Sequence, residues 1–178
     1  NAFMVLSMSW RASDAAIEWA RGVLAKHPTL PTILSTHQLL NIAGDGVSPL
    51  EVPYGLMLWE TLIRSNDQIC MTLNGHYHGG ARLTKTNDFG NAVEEMVVDY
   101  QMAYMGGNGL PRLYEFDPTN SKMTVFSFSP WVTQQPTDTL NELDVAVLTD
   151  SNHQFGSDLD DRKRYPPLHP GAPLPQSG

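Results

Sequence analysis

With 178 residues, 41% of them hydrophobic and 17% charged, the chain is long enough for one domain with a substantial core and has the balance of a soluble globular protein. A formal net charge of −8 and a pI of about 5.0 give no electrostatic case for nucleic acid, and there is no stripe of basic and aromatic residues. No apolar run approaches the roughly 20 residues that span a bilayer, and the single cysteine, Cys70, excludes an internal disulfide framework and a cysteine-based zinc finger.

Residues 3–8 (Phe3-Met4-Val5-Leu6-Ser7-Met8) read as a buried strand. The chain starts Asn1-Ala2-Phe3 without Met, which suits a cleavage product or fragment, so the lack of a signal peptide carries little meaning. Ser13 or Asp14 caps a helix to about Lys26, with Ala16, Trp19, Ala20, Val23 and Leu24 as its apolar face; His27-Pro28 ends it. Residues 30–36 form a second strand, delivering His37 at its carboxyl end. Strand, helix and strand at this spacing predict a right-handed βαβ unit with parallel strands. Residues 41–53 are a Gly/Pro/Asp loop, 54–65 a second helix, and 68–73 a third strand with a buried Cys70 thiol. Residues 84–90 are polar turn material. Residues 93–100, 112–116 and 123–128 predict meander strands, with turns at Gly106-Gly107-Asn108-Gly109 and Asp117-Pro118-Thr119-Asn120. From about Thr133 the chain is polar and turn-rich, and the segment from Arg162 holds five of the 13 prolines. This divides the chain into a domain over 1–156 and a Pro-rich, solvated tail over 157–178, with no internal repeats.

The third strand runs into Gly75-His76-Tyr77-His78-Gly79-Gly80. Two histidines two apart in extended chain point to the same side, and neutral imidazole is the commonest protein metal ligand. In open α/β sheets ligands bind at the carboxyl ends of strands, where His37 also falls. The three histidines His37, His76 and His78 are therefore candidate metal ligands. Tyr77, between them, is expected to face into packing. Trp10, Trp19 and Trp59 read as core or rim, His27 as a helix-end residue and His169 as solvated. The Gly106–Gly109 loop with Asn108 permits close backbone approach to a substrate, and Arg112 beyond it can grip a phosphate through two N–H groups. Asn108 and Arg112 are the candidate substrate contacts, against plainer roles in a strand connection and on the surface.

Thr36-His37 followed by Gly75-His76-Tyr77-His78 resembles the last two of five motifs around the binuclear centre of calcineurin-like metallophosphoesterases. Asp99-Tyr100-Gln101, Gly106-Gly107-Asn108-Gly109-Leu110-Pro111-Arg112-Leu113 and Phe126-Ser127-Phe128-Ser129-Pro130 extend the resemblance to secreted bacterial members, over about residues 3–156. The resemblance implies the carboxyl-terminal part of an αββα sandwich. It implies a metal-dependent phosphoester hydrolase using Mn, Fe or Zn, located outside the cell or in the periplasm. His37 and His76 would bind one ion and His78 the other, activating a water that attacks phosphorus in line.

The family's first three motifs, Asp-x-His, Gly-Asp and Asn-His-Asp/Glu, do not occur in order in this chain. Gly44-Asp45 matches half of the second motif but follows His37. Asp150-Ser151-Asn152-His153 imitates the third, yet Thr149-Asp150…Phe155 matches a segment after the Ser-Pro of the resembled members. The chain is therefore expected to be incomplete as a catalyst when isolated, with a binuclear site only if a missing amino-terminal half is supplied. The alternative is a non-catalytic structural or assembly module keeping a partial histidine site, with that half or a second copy as partner. A mononuclear three-histidine site is the third possibility. No nucleic-acid or membrane partner is expected.

Overall fold

Ser13 opens the first helix by accepting a hydrogen bond from the Ala16 amide at 3.4 Å; Asp14 in the first turn and Lys26 in the last complement the helix dipole. This helix, α1 (Asp14–Lys26), joins β1 (Met4–Ser7) to β2 (Thr32–Thr36), and the two strands pair in parallel as the βαβ pattern predicts. A computed structural model describes residues 2–117 and 119–158 of the chain; the predicted Pro-rich tail, with His169, lies outside the described residues beyond Asp158.

β2 is followed by β3 (Leu40–Ile42), β4 (Pro49–Glu51) and α2 (Pro53–Leu58). α2 runs on into a wider turn over Trp59–Ile63, where the Arg64 amide donates to the Trp59 carbonyl five residues back. Then come β5 (Ile69–Asn74), β6 (Gly79–Thr86), β7 (Ala92–Asp99), β8 (Arg112–Asp117), β9 (Lys122–Phe128), β10 (Val147–Leu148) and β11 (Phe155–Asp158). One sheet has the order β1-β2-β5-β7-β6, parallel except for β6, which is antiparallel to β7. In the second sheet β8 pairs along one edge of β9, while β10 and β11 share the other, all antiparallel. The molecule is thus mixed α/β, rich in strands, with few helices.

Burial divides cleanly between the two faces of the first sheet. Leu6, Leu34, Ile69 and Val97 face Ile17, Ala20 and Leu24 of α1 and Leu58 and Leu62 of the second helical segment. Ile33, Met71 and Met96 face Met123 and Val125 of β9. A bulge adjusts β5: Thr32 pairs Ile69 but Ile33 pairs Met71, so Cys70 is the extra residue and joins Met71 on the second-sheet side. The Cys70 thiol is buried, as the sequence predicts.

Several expectations need correction. The inward face of α1 is Ile17, Ala20 and Leu24, while Trp19 is 57% exposed; two residues past Ile17 places it about 200° around the helix. Trp10 is exposed as well, as is Trp131, so that of the chain's four tryptophans Trp59 is the buried one. The expected 41–53 loop contains the β3–β4 hairpin. Much of the expected turn at 84–90 is strand, since β6 extends to Thr86. The segment 93–100 does not join a meander with β8 and β9: β7 inserts between β5 and β6 in the first sheet. β11 carries the domain past the expected boundary at 156, to Asp158.

Candidate metal centre

Thr36 and Asn74 are register partners at the ends of the adjacent parallel strands β2 and β5, so the residues that follow leave the sheet side by side. His37 comes directly after Thr36. Beyond Asn74 the chain does not stay extended, contrary to the expected strand-like alternation of His76 and His78. The Tyr77 amide donates to the Gly75 carbonyl at 2.8 Å, and His76 sits at φ 68° between them. This is a γ-turn of the strained sense, held by a residue that normally avoids positive φ. Its effect is to swing the His76 ring onto His37: Nε2 of His37 and Nδ1 of His76 lie 3.1 Å apart.

The surroundings hold this pair. Asn74, buried between β5 and β3, receives the Leu40 amide and donates to the Leu40 carbonyl, each at 2.9 Å, so the two strand ends are clamped together. Gln38 accepts from Trp10 Nε1 at 2.9 Å and from Arg11 Nε at 3.2 Å, and donates to the Tyr77 hydroxyl. The loop after β1, the residue after His37 and the residue after His76 are thereby tied together. The Trp10 ring stands 5.8 Å from both imidazoles. Trp10, Gln38 and Tyr77 were not recognised as site residues from sequence; the one signal was that Trp10 follows the carboxyl end of the first strand, the side on which His37 also lies.

The 3.1 Å contact is that of an N–H···N hydrogen bond between the two rings, and it can be set beside the spacing of two ligands on one ion. Two nitrogens each about 2.1 Å from one ion, at an angle of about 90–110°, lie about 3.0–3.4 Å apart, which brackets the observed separation. His78 is exposed and forms no hydrogen bond or ring contact among the described residues. Among those residues no third His, Cys, Asp or Glu completes a group of three around an ion. The structure therefore brings together two of the three candidate ligands.

The remaining candidates are placed as follows. Asp45 lies in the β3–β4 turn, where the Ser48 side chain first, then the Ser48 and Val47 amides that its carboxylate accepts, hold its pKa down at about 2. Asn108, at φ 49°, spends its side-chain amide on Asp144 at 2.8 Å. His153 Nδ1 meets the Asp150 carboxylate at 2.7 Å, and its Nε2 stands over Gly80, where a Cβ would lie 2.5 Å away. Burial raises the Asp150 pKa, but His153 and the Asn152 amide outweigh it and leave the carboxyl below its usual range. Arg112 lines a cavity of about 520 Å3 between the two sheets, together with Ser35, Gly75, Tyr100, Gly106 and Tyr114. Residues at its rim immediately precede His37 and His76.

Fold and site together define a mixed α/β protein with paired imidazoles at the carboxyl ends of adjacent parallel strands. No protein-family model matches the chain. Over 138 residues, 74% of its length, it is 34% identical to the uncharacterized protein YvnB of Bacillus subtilis strain 168, and it spans about a tenth of that relative's length. Among the described residues no helix is long and apolar enough to cross a membrane.

Proposed function

We propose that the chain is the carboxyl-terminal part of a calcineurin-like metallophosphoesterase, a phosphoester hydrolase of the αββα sandwich type acting outside the cell or in the periplasm. The observation that carries this reading is the 3.1 Å approach of His37 Nε2 to His76 Nδ1, the two residues that the motif resemblance assigns to one ion. The layering of helices, parallel sheet and antiparallel sheet supports it. His37 and His76 would hold the shared ion; His78, one turn further on, would serve a second ion of the same class (Mn, Fe or Zn) once upstream carboxylates complete the site. Bound metal supplies polarisation of the phosphoryl group and activation of water for in-line attack. The chain's own part is to fix the two imidazoles through the γ-turn, the Asn74 clamp and the Gln38 relay.

A structural or assembly role is the second reading, favoured by surfaces the described residues leave uncovered. β1 is an edge strand with Val5 63% exposed, and the outer face of the second sheet carries exposed Leu113 and Val147 beside the stacked Phe126 and Phe128. Under either reading the partner is an amino-terminal half or a second copy.

The test is hydrolysis of an aryl phosphate and an aryl phosphodiester, with Mn, Fe or Zn, by a protein joining this chain to an upstream segment that carries Asp-x-His and Gly-Asp. Turnover should fall at least 100-fold in His76→Ala. Metal-dependent turnover that His76→Ala leaves unchanged would refute the assignment.

A further inference from the structure

Arg112 lines the cavity between the sheets and pairs with no carboxylate among the described residues; Asp99, which also lines it, accepts the Gln101 amide at 2.9 Å. Arg112 Nε donates to Ser127 Oγ at 3.2 Å, and Nη2 donates to the Asn152 carbonyl at 2.8 Å and to the Tyr100 hydroxyl at 3.3 Å. All three acceptors are neutral. Nη1 is buried and has no acceptor among the described residues. On the same wall the buried Tyr114 hydroxyl has no partner within 3.5 Å; burial pushes its pKa up while Arg112 beside it pulls the other way, and the net rise keeps it a protonated donor. Arg112 is half-buried, but a guanidinium nitrogen buried without an acceptor is costly and calls for an explanation. A ligand that brings several oxygens would supply one, since the guanidinium fork matches oxyanions through paired N–H groups.

We propose that this cavity is a receptor for a phosphate group, with Arg112 as its anchor and Tyr100 and Tyr114 as flanking hydroxyl donors. The choice of phosphate over other oxyanions rests on the phosphoesterase reading; the existence of an anion site does not. Bound there, a phosphate would share the cavity with Thr36 and Gly75, the residues that immediately precede His37 and His76.

The experiment is an amide NMR titration of the metal-free chain in EDTA, with inorganic phosphate in one arm and phenyl phosphate in the other. Saturable shifts confined to the neighbourhood of Ser35, Gly75, Tyr100, Gly106 and Tyr114 are expected. Saturation by both ligands marks a substrate site, and by inorganic phosphate alone a product site. Arg112→Gln, which keeps a hydrogen-bond donor but not the charge, should weaken binding tenfold or more. Should that variant fail to fold, the wild-type shift map decides alone. Shifts that do not saturate, that scatter over the surface, or that persist in folded Arg112→Gln at unchanged affinity would overturn the proposal. Because EDTA removes metal from the assay, failure here leaves the metal-site reading standing, and success here does not depend on it.

Discussion

Gly55→Ala lowers the stability of the chain by about 3 kcal/mol or more, at the upper end of what overpacking costs, and the melting temperature by about 6–12 °C. A Cβ at position 55 would lie 2.2 Å from the Leu39 carbonyl oxygen and 3.0 Å from its carbon. Neither atom can move as a side-chain tip moves. Either α2 lifts off the strand end or the backbone of Leu39 shifts, and Leu39 is two residues from His37 and next to Leu40, which Asn74 clamps. Gly22→Ala is the control. It lies within α1, faces open space, and gains up to about 1 kcal/mol from helix propensity. Thermal melts followed by circular dichroism read both; equal melting temperatures for wild type and Gly55→Ala would show that the helix is not seated on Leu39.

Glu95→Gln removes a fall in stability that wild type shows above neutral pH. Glu95 is only 2% exposed, and its Oε1 has no hydrogen-bond partner among the described residues. Burial pushes its pKa from 4.5 up to about 7; Lys85, which pairs with Glu51 and lies over the Trp59 ring, pulls it partly back, and Glu51 pushes it up. Because the folded pKa exceeds the unfolded one, the folded state holds the proton more tightly. The resulting stabilisation is complete below about pH 4.5 and is lost as pH rises through 7. A shift of this size is worth about 3 kcal/mol between those limits. Urea unfolding at pH 5 and pH 8.5 should show a loss of that order in wild type that is absent in Glu95→Gln. The same loss in both proteins would mean that Glu95 is ionised throughout.

The same carboxylate explains why part of the fold was hard to read. In Ala92-Val93-Glu94-Glu95-Met96-Val97, two adjacent acids suggest a half-solvated meander strand, yet β7 is an interior strand with Glu95 on the same side as Val93 and Val97. Nothing local marks that placement, which comes from long-range pairing with β5. β6 was obscured in another way. Gly79-Gly80 looks like a turn, and its alternation is between small or apolar residues and polar ones whose aliphatic stems do the packing, as Lys85 does on Trp59. The β3–β4 hairpin has strands of three residues each, too short for a period to register. Where periodicity and capping act locally, as in the βαβ order of β1-α1-β2 and in β8–β9, the elements match the sequence reading, although β1, expected to be buried, is an edge strand with only Leu6 buried.

At the site, the structure brings His37 and His76 together and leaves His78 apart, by a geometry that strand alternation does not give. Strand alternation would aim His76 and His78 together; the γ-turn at His76 instead aims it across the sheet at His37. A single residue at positive φ, at a position occupied by neither Gly nor Asn, leaves no signature in composition or spacing. Gln38, Trp10 and Tyr77 were hidden for a related reason, because their roles exist only once three loops from different strands meet.

We propose that His37 and His76 share one ion. Titrating the chain with Zn2+ while following the imidazole resonances of its histidines tests it directly. A shared ion predicts that the His37 and His76 signals shift together and saturate at one equivalent, and that the His37 signal stops responding in His76→Ala, while His27 remains unaffected. Independent responses of the two rings, or Zn2+ binding undiminished by His76→Ala, would contradict it.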